Sequence, residues 1–351
     1  MSALPIEERT PETTPRRRIV RAARDVSQNI RLWFQLAFIA LNVWIGVEFY
    51  AWVRYYETSG ATRFVERPGG VEGWLPIAAL MNLKVLILTG HVPRVHPAGT
   101  FLLIAFLAMS LLLKKAFCSW LCPVGTVSEW LWKLGQRMFS RNLAVPYWID
   151  IPLRGLKYLL LGFFGWAVVH MSVEQIREFM TAPYGLIADV KLLNFFRFIG
   201  TTGAIVIAVI ALLSVVVKNF WCRYLCPYGA LLGIVSLASP VKIRRDADAC
   251  IDCAKCAKAC PARLPVDVKP QIRSAECTLC MQCTAVCPVK GALEVKVTKS
   301  RAIPAWGVAA AIAIIFLATV VFARVTGHWN SNVPNEVYRM LVPATTDVGH
   351  P

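Results

Sequence analysis

Long apolar runs, rather than alternating positions, set the architecture of this chain. Leu32 to Val53 is long enough to cross a bilayer and ends among Tyr50, Trp52 and Tyr55, the aromatic belt expected at a water interface. Further runs lie over about 98–113, 156–171 and 199–217, and a last one occupies 301–324. Trp74 to Thr89 is apolar but short and contains Pro76 and Lys84, so it reads as an interfacial or re-entrant helix on the outer side. Residues 126–142 carry Trp130, Trp132, Lys133, Arg137 and Arg141 in the pattern of an amphipathic helix on the inner surface.

Charge orients these runs. Lys114-Lys115 and Lys218 follow two of them and anchor those ends inside, and Arg16, Arg17, Arg18, Arg21 and Arg24 make residues 1–29 a basic cytoplasmic arm beside lipid headgroups. The pattern predicts about five transmembrane helices, with the N-terminus inside, residues 54–73 and 172–197 outside, and the tail 325–351 on the periplasmic face. A membrane core over 30–240 is followed by a polar, Lys-rich insert at 241–300. The 351 residues are 56% hydrophobic with a formal net charge of +17; in a multi-span chain that excess belongs to inner loops, and no basic-aromatic nucleic-acid module is present. There is no early apolar core of a signal peptide.

All 12 Cys fall in two kinds of motif. In the insert, Cys250, Cys253, Cys256 and Cys260-Pro261 are followed by Cys277, Cys280, Cys283 and Cys287-Pro288. Each half is the C-x2-C-x2-C-x3-C-P run of bacterial two-cluster ferredoxins, in which the fourth thiolate reaches over to the other cluster. That spacing assigns Cys250, Cys253, Cys256 and Cys287 to one [4Fe–4S] cluster and Cys277, Cys280, Cys283 and Cys260 to a second. Structural zinc also uses C-x2-C, but it explains neither the duplication nor the Pro after each fourth Cys. No cysteine remains for a disulfide framework, and metal-binding thiolates place this face in the reducing cytoplasm.

The other four cysteines form an internal repeat. Lys114-Lys-Ala-Phe-Cys118-Ser-Trp-Leu-Cys122-Pro123-Val-Gly125 recurs as Lys218-Asn-Phe-Trp-Cys222-Arg-Tyr-Leu-Cys226-Pro227-Tyr-Gly229, each copy after a predicted outside-to-inside span. Cysteines four apart share one face of a helix, and Pro then Gly are expected to end that turn. Side by side, the copies would converge four sulfurs, which suits a further iron–sulfur cluster or a soft ion such as Cu(I). His91, His96 and His170 fall near the outer face, where a haem or quinone ligand is conceivable, and Glu48 near the outer end of the first span reads as a solvated carboxylate. No C-x-x-C-H, G-x-G-x-x-G or P-loop occurs.

Two C-x3-C-P repeats after membrane helices, then a double [4Fe–4S] insert, resemble the membrane polyferredoxin family, which includes NapH, NosR and the FixG/CcoG type. The resemblance covers roughly residues 30–325. It implies an α-helical integral membrane protein of the bacterial inner membrane with an inserted cytoplasmic α+β ferredoxin domain. The implied role is transfer of single electrons between the quinone pool, or a cytoplasmic donor, and a periplasmic redox partner. The rival from another class is a copper-handling or cupric-reductase assembly factor working through the C-x3-C pairs. Whether the chain is an enzyme in its own right or an electron-transfer subunit is left open at this point.

Overall fold

The computed structural model describes residues 20–350 apart from 24, 141 and 298–300. Most of the basic arm lies outside the described residues. Its described end, Val20 to Ala22, pairs with the insert through Lys290 N–H to the Val20 carbonyl and Ala22 N–H to the Pro288 carbonyl.

Helix α1, Ser27–Glu57, overruns the predicted span at both ends. Arg31 and Gln35 in its first turns are buried against other helices, so protein rather than lipid holds the extra turns. A 3₁₀ turn, Gly69–Trp74, leads into α2, Pro76–Thr89, and α3, Pro97–Leu113. The 3₁₀ turn preceding α2 is tied to α3 where Glu72 accepts from Gly99 N–H, while Asn82 in mid-helix donates to the carbonyls of Val95 and His96. These contacts hold α2 beside the N-terminal end of α3.

Short α4, Phe117–Trp120, and amphipathic α5, Pro123–Phe139, follow. Helix α6, Tyr147–His170, starts well before the predicted residue 156 because Asp150, Arg154 and Lys157 in its first turns all find charged partners. Lys84 of α2 donates to the carbonyls of Val168, Val169 and Met171 and so caps its C-terminal end. The predicted outer loop 172–197 is in fact helical: α7, Val173–Thr181, begins with a Ser172/Gln175 capping box, and α8, Pro183–Leu186, and α9, Ala188–Arg197, complete it. Helix α10, Thr201–Val216, meets α9 at 82°, with Gly200 at the break. A π turn, Trp221–Leu225, precedes α11, Pro227–Val235.

The insert is built on β1, Lys242–Arg245, antiparallel to β2, Leu293–Lys296, in a register that sets buried Ile243 opposite buried Val295. This pair closes the ends of the segment, and its loops carry the short helices α12, Lys255–Ala259, and α13, Gln282–Ala285. Helix α14, Ala305–Val325, packs along α3, and α15, Asn335–Leu341, buries Tyr338 against Trp52 of α1.

Among the described residues α1, α6 and α14 are each long and apolar enough to cross a membrane, and α9 with α10 taken as one bent span makes up to four. The run predicted at 98–113 is α3, only 17 residues and about 25 Å long. It lies walled in by α2, α11 and α14, with its side chains largely buried, so it need not match the bilayer by itself. Length and composition thus pick out three or four of the five expected spans, α3 being the short one. Lys114 and Lys115, read as anchoring that end inside, meet protein rather than solvent. Both are buried, Lys114 donating to the Ser236 carbonyl and Lys115 facing Glu276 at 3.7 Å.

Candidate iron–sulfur centres

The two halves of the insert fold alike around their cysteines. Asp252 and Ala254 in the first, Leu279 and Met281 in the second, all hold positive φ between 50° and 58°, at the same offsets from Cys250 and Cys277. Four non-glycine residues in this sparsely used region mark loops bent to turn backbone N–H groups toward one centre. Cys287 lies within electrostatic reach of Cys250 and Cys253, and Cys256 within reach of Cys287; together the four line one small pocket. Cys283 is within reach of Cys280, Cys277 and Cys260 in the same way. The cysteines within electrostatic reach of one another in the insert are thus members of the same crossed set in these cases.

These donor sets suit a cluster. Burial pushes the Cys260 thiol up to about 12 and raises Cys277 and Cys283 as well, so these thiols stay protonated until a metal displaces the proton. Among the described residues, no group of three or more His, Cys, Asp or Glu is drawn together around a single ion.

The C-x3-C-P copies also converge: Cys222 is within reach of Cys226, Cys122 and Cys118. The local geometry departs from the expected shared helix face. α4 ends at Trp120, and both second cysteines close with a five-residue step, Cys122 N–H to the Phe117 carbonyl and Cys226 N–H to the Trp221 carbonyl. Each second Cys is instead the N-cap of the next helix, with Pro in its first turn. Gly125 N–H donates to Cys122 Sγ at 3.4 Å and Gly229 N–H to Cys226 Sγ at 3.2 Å. Pro and Gly therefore open α5 and α11 rather than ending a turn, and the positive end of each helix faces a sulfur.

Both copies grip the insert. Ser119 Oγ donates to the Thr278 carbonyl at 2.7 Å, Trp120 Nε1 to the Leu279 carbonyl at 3.1 Å, and Gln28 Nε2 to the Cys280 carbonyl at 3.1 Å. From the second copy, Arg223 reaches the Pro261 carbonyl at 3.2 Å while paired bidentately with Asp150. The Cys277/Cys280/Cys283/Cys260 set is thus the one held against the membrane core. In the other set, Cys253 is exposed.

Two profiles match the chain. One, described as a 4Fe-4S binding domain, covers residues 95–142 and again 199–246, the two C-x3-C-P copies; the other, a 4Fe-4S dicluster domain, covers 242–288. YccM of Escherichia coli (strain K12), a protein named for electron transport, is 51% identical over 322 residues, 90% of each chain. The chain belongs to the membrane polyferredoxin family. The ferredoxin-type protein NapH of the same organism is 29% identical over 56% of this polyferredoxin and 67% of its own length. The regulatory protein NosR of Pseudomonas aeruginosa is 29% identical over 50% of this chain and 24% of its own. No solved structure matches.

Sequence reasoning missed the charged seams that join core and insert in this polyferredoxin. Arg31 clamps Glu129 with both nitrogens, at 2.5 and 2.6 Å, and Gln282 of the insert donates to the same carboxylate. Burial opposes the charge, yet Arg31 and Lys133 hold the Glu129 carboxyl at about 2. Glu276, next to Cys277, receives Lys157 at 2.6 Å; burial raises its carboxyl, but Lys115 and Lys157 hold it below the usual range. The only signal in the sequence was a lone cation or acid at the edge of an apolar run.

A cavity of about 1400 Å³ runs from the C-x3-C-P sulfurs, past Tyr228 and Phe164, to Glu48, Arg67, Arg324 and Trp329. Glu48, read as solvated, is half-buried on its wall. The three histidines do not share a site. His91 and His170 are exposed with rings hydrogen-bonded to nearby carbonyls, whereas His96 is buried between Glu72, Arg67 and the Gly185 carbonyl. Arg67 also pairs with Asp189 at 2.7 Å, completing a buried charge network at the end of the fold away from the insert.

Proposed function

We propose that this polyferredoxin carries single electrons between the quinone pool, or a cytoplasmic donor, and a periplasmic redox partner. The insert would hold two [4Fe–4S] clusters on the cytoplasmic side of the inner membrane, with the C-terminal tail periplasmic. Cys118, Cys122, Cys222 and Cys226 would hold a third iron–sulfur centre. The observation that supports this reading is the serial clamp. The Cys250 set with its exposed Cys253, the Cys277 set pinned to both repeats, and the C-x3-C-P set that lines the cavity support this order.

Bound in these sets, iron–sulfur clusters supply one-electron chemistry; the chain supplies spacing, burial and hydrogen bonds that set each potential. The loops with positive φ present backbone donors, helices α5 and α11 stabilise the charge on Cys122 and Cys226, and the Arg31–Glu129 and Lys157–Glu276 seams fix the distance between core and insert. An apolar cavity with polar ends suits the ring of a quinol.

The test is iron and sulfide analysis with redox-titrated electron paramagnetic resonance on anaerobically purified full-length protein. Three reducible centres are expected, one of them lost in a Cys118→Ala/Cys222→Ala variant. Two centres with copper bound in place of the third, lost in the same variant, would overturn the third centre in favour of the copper-handling role.

A further inference from the structure

Three carboxylates stand at the joint between membrane core and insert, and each holds two cations. Glu129 pairs with Arg31 at 2.5 Å and with Lys133 at 2.6 Å. Glu276 pairs with Lys157 at 2.6 Å and faces Lys115 at 3.7 Å. Asp150 pairs with Arg223 at 2.7 Å and with Arg154. Asp150, Arg154 and Lys157 fall four and then three residues apart on α6, so one face of that helix serves two of these groups. Each group carries one positive charge more than it neutralises. Lys133 apart, none of these side chains is more than 20% exposed, so water does little to screen that excess.

The three groups meet the insert beside three of the four cysteines of a single set. Gln282, next to Cys283, donates to Glu129; Glu276 is itself next to Cys277; and Arg223 donates to the carbonyl of Pro261, next to Cys260. The Cys250 set is surrounded differently. There Arg245 pairs with Asp252, beside exposed Cys253, one cation with one carboxylate. Asp246, Asp248, Lys255 and Lys258 of the same segment are exposed, where solvent screens them.

We propose that these three positive groups hold the reduction potential of the Cys277, Cys280, Cys283 and Cys260 centre above that of the Cys250 centre, so that electrons enter at the Cys250 set and run inward. This rests on the clusters of the preceding reading, and of its two electron sources it selects the cytoplasmic donor, a low-potential one-electron carrier. Each transfer moves one electron from the Cys250 set to the Cys277 set and onward to the C-x3-C-P set; no bond forms or breaks and no proton moves. Charge is the physical ground. Thiolate ligands make the site negative, reduction adds one more negative charge, and a buried excess of cations stabilises it. The Glu129 group contributes least, because Lys133 is 42% exposed.

The experiment is redox-titrated electron paramagnetic resonance on full-length protein purified anaerobically, the Cys250-set signal being the one lost or altered in Cys253→Ser. In wild type the Cys277-set midpoint is expected to be the higher of the two. Lys115→Met, which leaves Glu276 paired with Lys157, should lower that midpoint by about a tenfold change in the one-electron equilibrium constant, about 59 mV. Glu276→Gln should raise it by a similar amount. Lys157→Met/Glu276→Met removes one charge of each sign and should leave it near the wild-type value. The Cys250-set midpoint should stay in place throughout. A merely structural role for these side chains gives no such reversal of sign. A Cys277-set midpoint at or below the other in wild type overturns the proposal, even if the charge variants fail to assemble. Shifts of one sign in Lys115→Met and Glu276→Gln, or equal shifts at both sets, overturn it as well. Absence of both cluster signals from wild type overturns the proposed function itself, which keeps the two failures apart.

Discussion

Gly125 and Gly229 occupy the same place in the two C-x3-C-P copies, and the fold treats them differently. A Cβ built on Gly125 would stand 2.2 Å from the Cys118 carbonyl oxygen, whereas one on Gly229 meets nothing nearer than Cys226 Sγ at 3.6 Å. Real Cβ atoms essentially never come within 3.0 Å, so Gly125→Ala must part the Cys118 turn from the start of α5 by at least 0.8 Å. The close neighbour is backbone, which cannot swing aside. Functional constellations tolerate displacements of about 0.5 Å, and overpacking of this kind costs about 1–3 kcal/mol. Gly125→Ala should therefore lose most of the iron and sulfide bound at the C-x3-C-P set, while Gly229→Ala keeps it. Metal analysis of both variants, each compared with the Cys118→Ala/Cys222→Ala protein, reads the difference directly. Equal retention in the two alanine variants would refute the reasoning, because it would mean that the close approach is not what positions Cys118.

The Arg31–Glu129 pair is buried, so Glu129→Ala should cost about 3–5 kcal/mol by stranding the guanidinium, and Arg31→Met/Glu129→Leu should recover much of it. Stability in mixed micelles checks this, and a double variant no better than the single contradicts it. Trp120→Phe leaves the Leu279 carbonyl without its donor at a site 0% exposed, at a cost of about 1–3 kcal/mol, and should broaden the signal of the adjacent Cys277 set while sparing the Cys250 set. His96 titrates above its ordinary value: burial pushes it down, but Glu72 and Asp189 outweigh that. Its contribution is thus full below pH 6.5 and lost as pH rises through the raised value. Glu72 is held low, burial raising it but Arg67 and His96 prevailing, so its contribution is present above 4.5 and fades as pH falls. Hydrogen exchange of residues 67–75 and 185–190 should accordingly quicken above the raised value of His96, and His96→Gln should abolish that rise.

Cysteine spacing by itself determined which residues are candidates for each set in the insert, because cluster ligands come from short loops whose geometry is local. Apolar run length and the placement of Lys and Arg likewise made a membrane protein legible, since the bilayer acts on each segment separately. What only the tertiary structure decided was the contact between those parts. Helix α3, bounded by Pro97 and by Lys114 at positive φ, is enclosed by α2, α11 and α14. Lys115, Lys157 and Arg31 are buried because partners far along the chain meet them, and α7 within 172–197 opens on a capping box that hydrophobic runs do not report. The roles of Pro123 and Gly125 as the start of α5, and the unequal space around Gly125 and Gly229, follow from how neighbouring backbone segments pack. A repeat in sequence fixes like residues at like positions; it does not fix what stands opposite them.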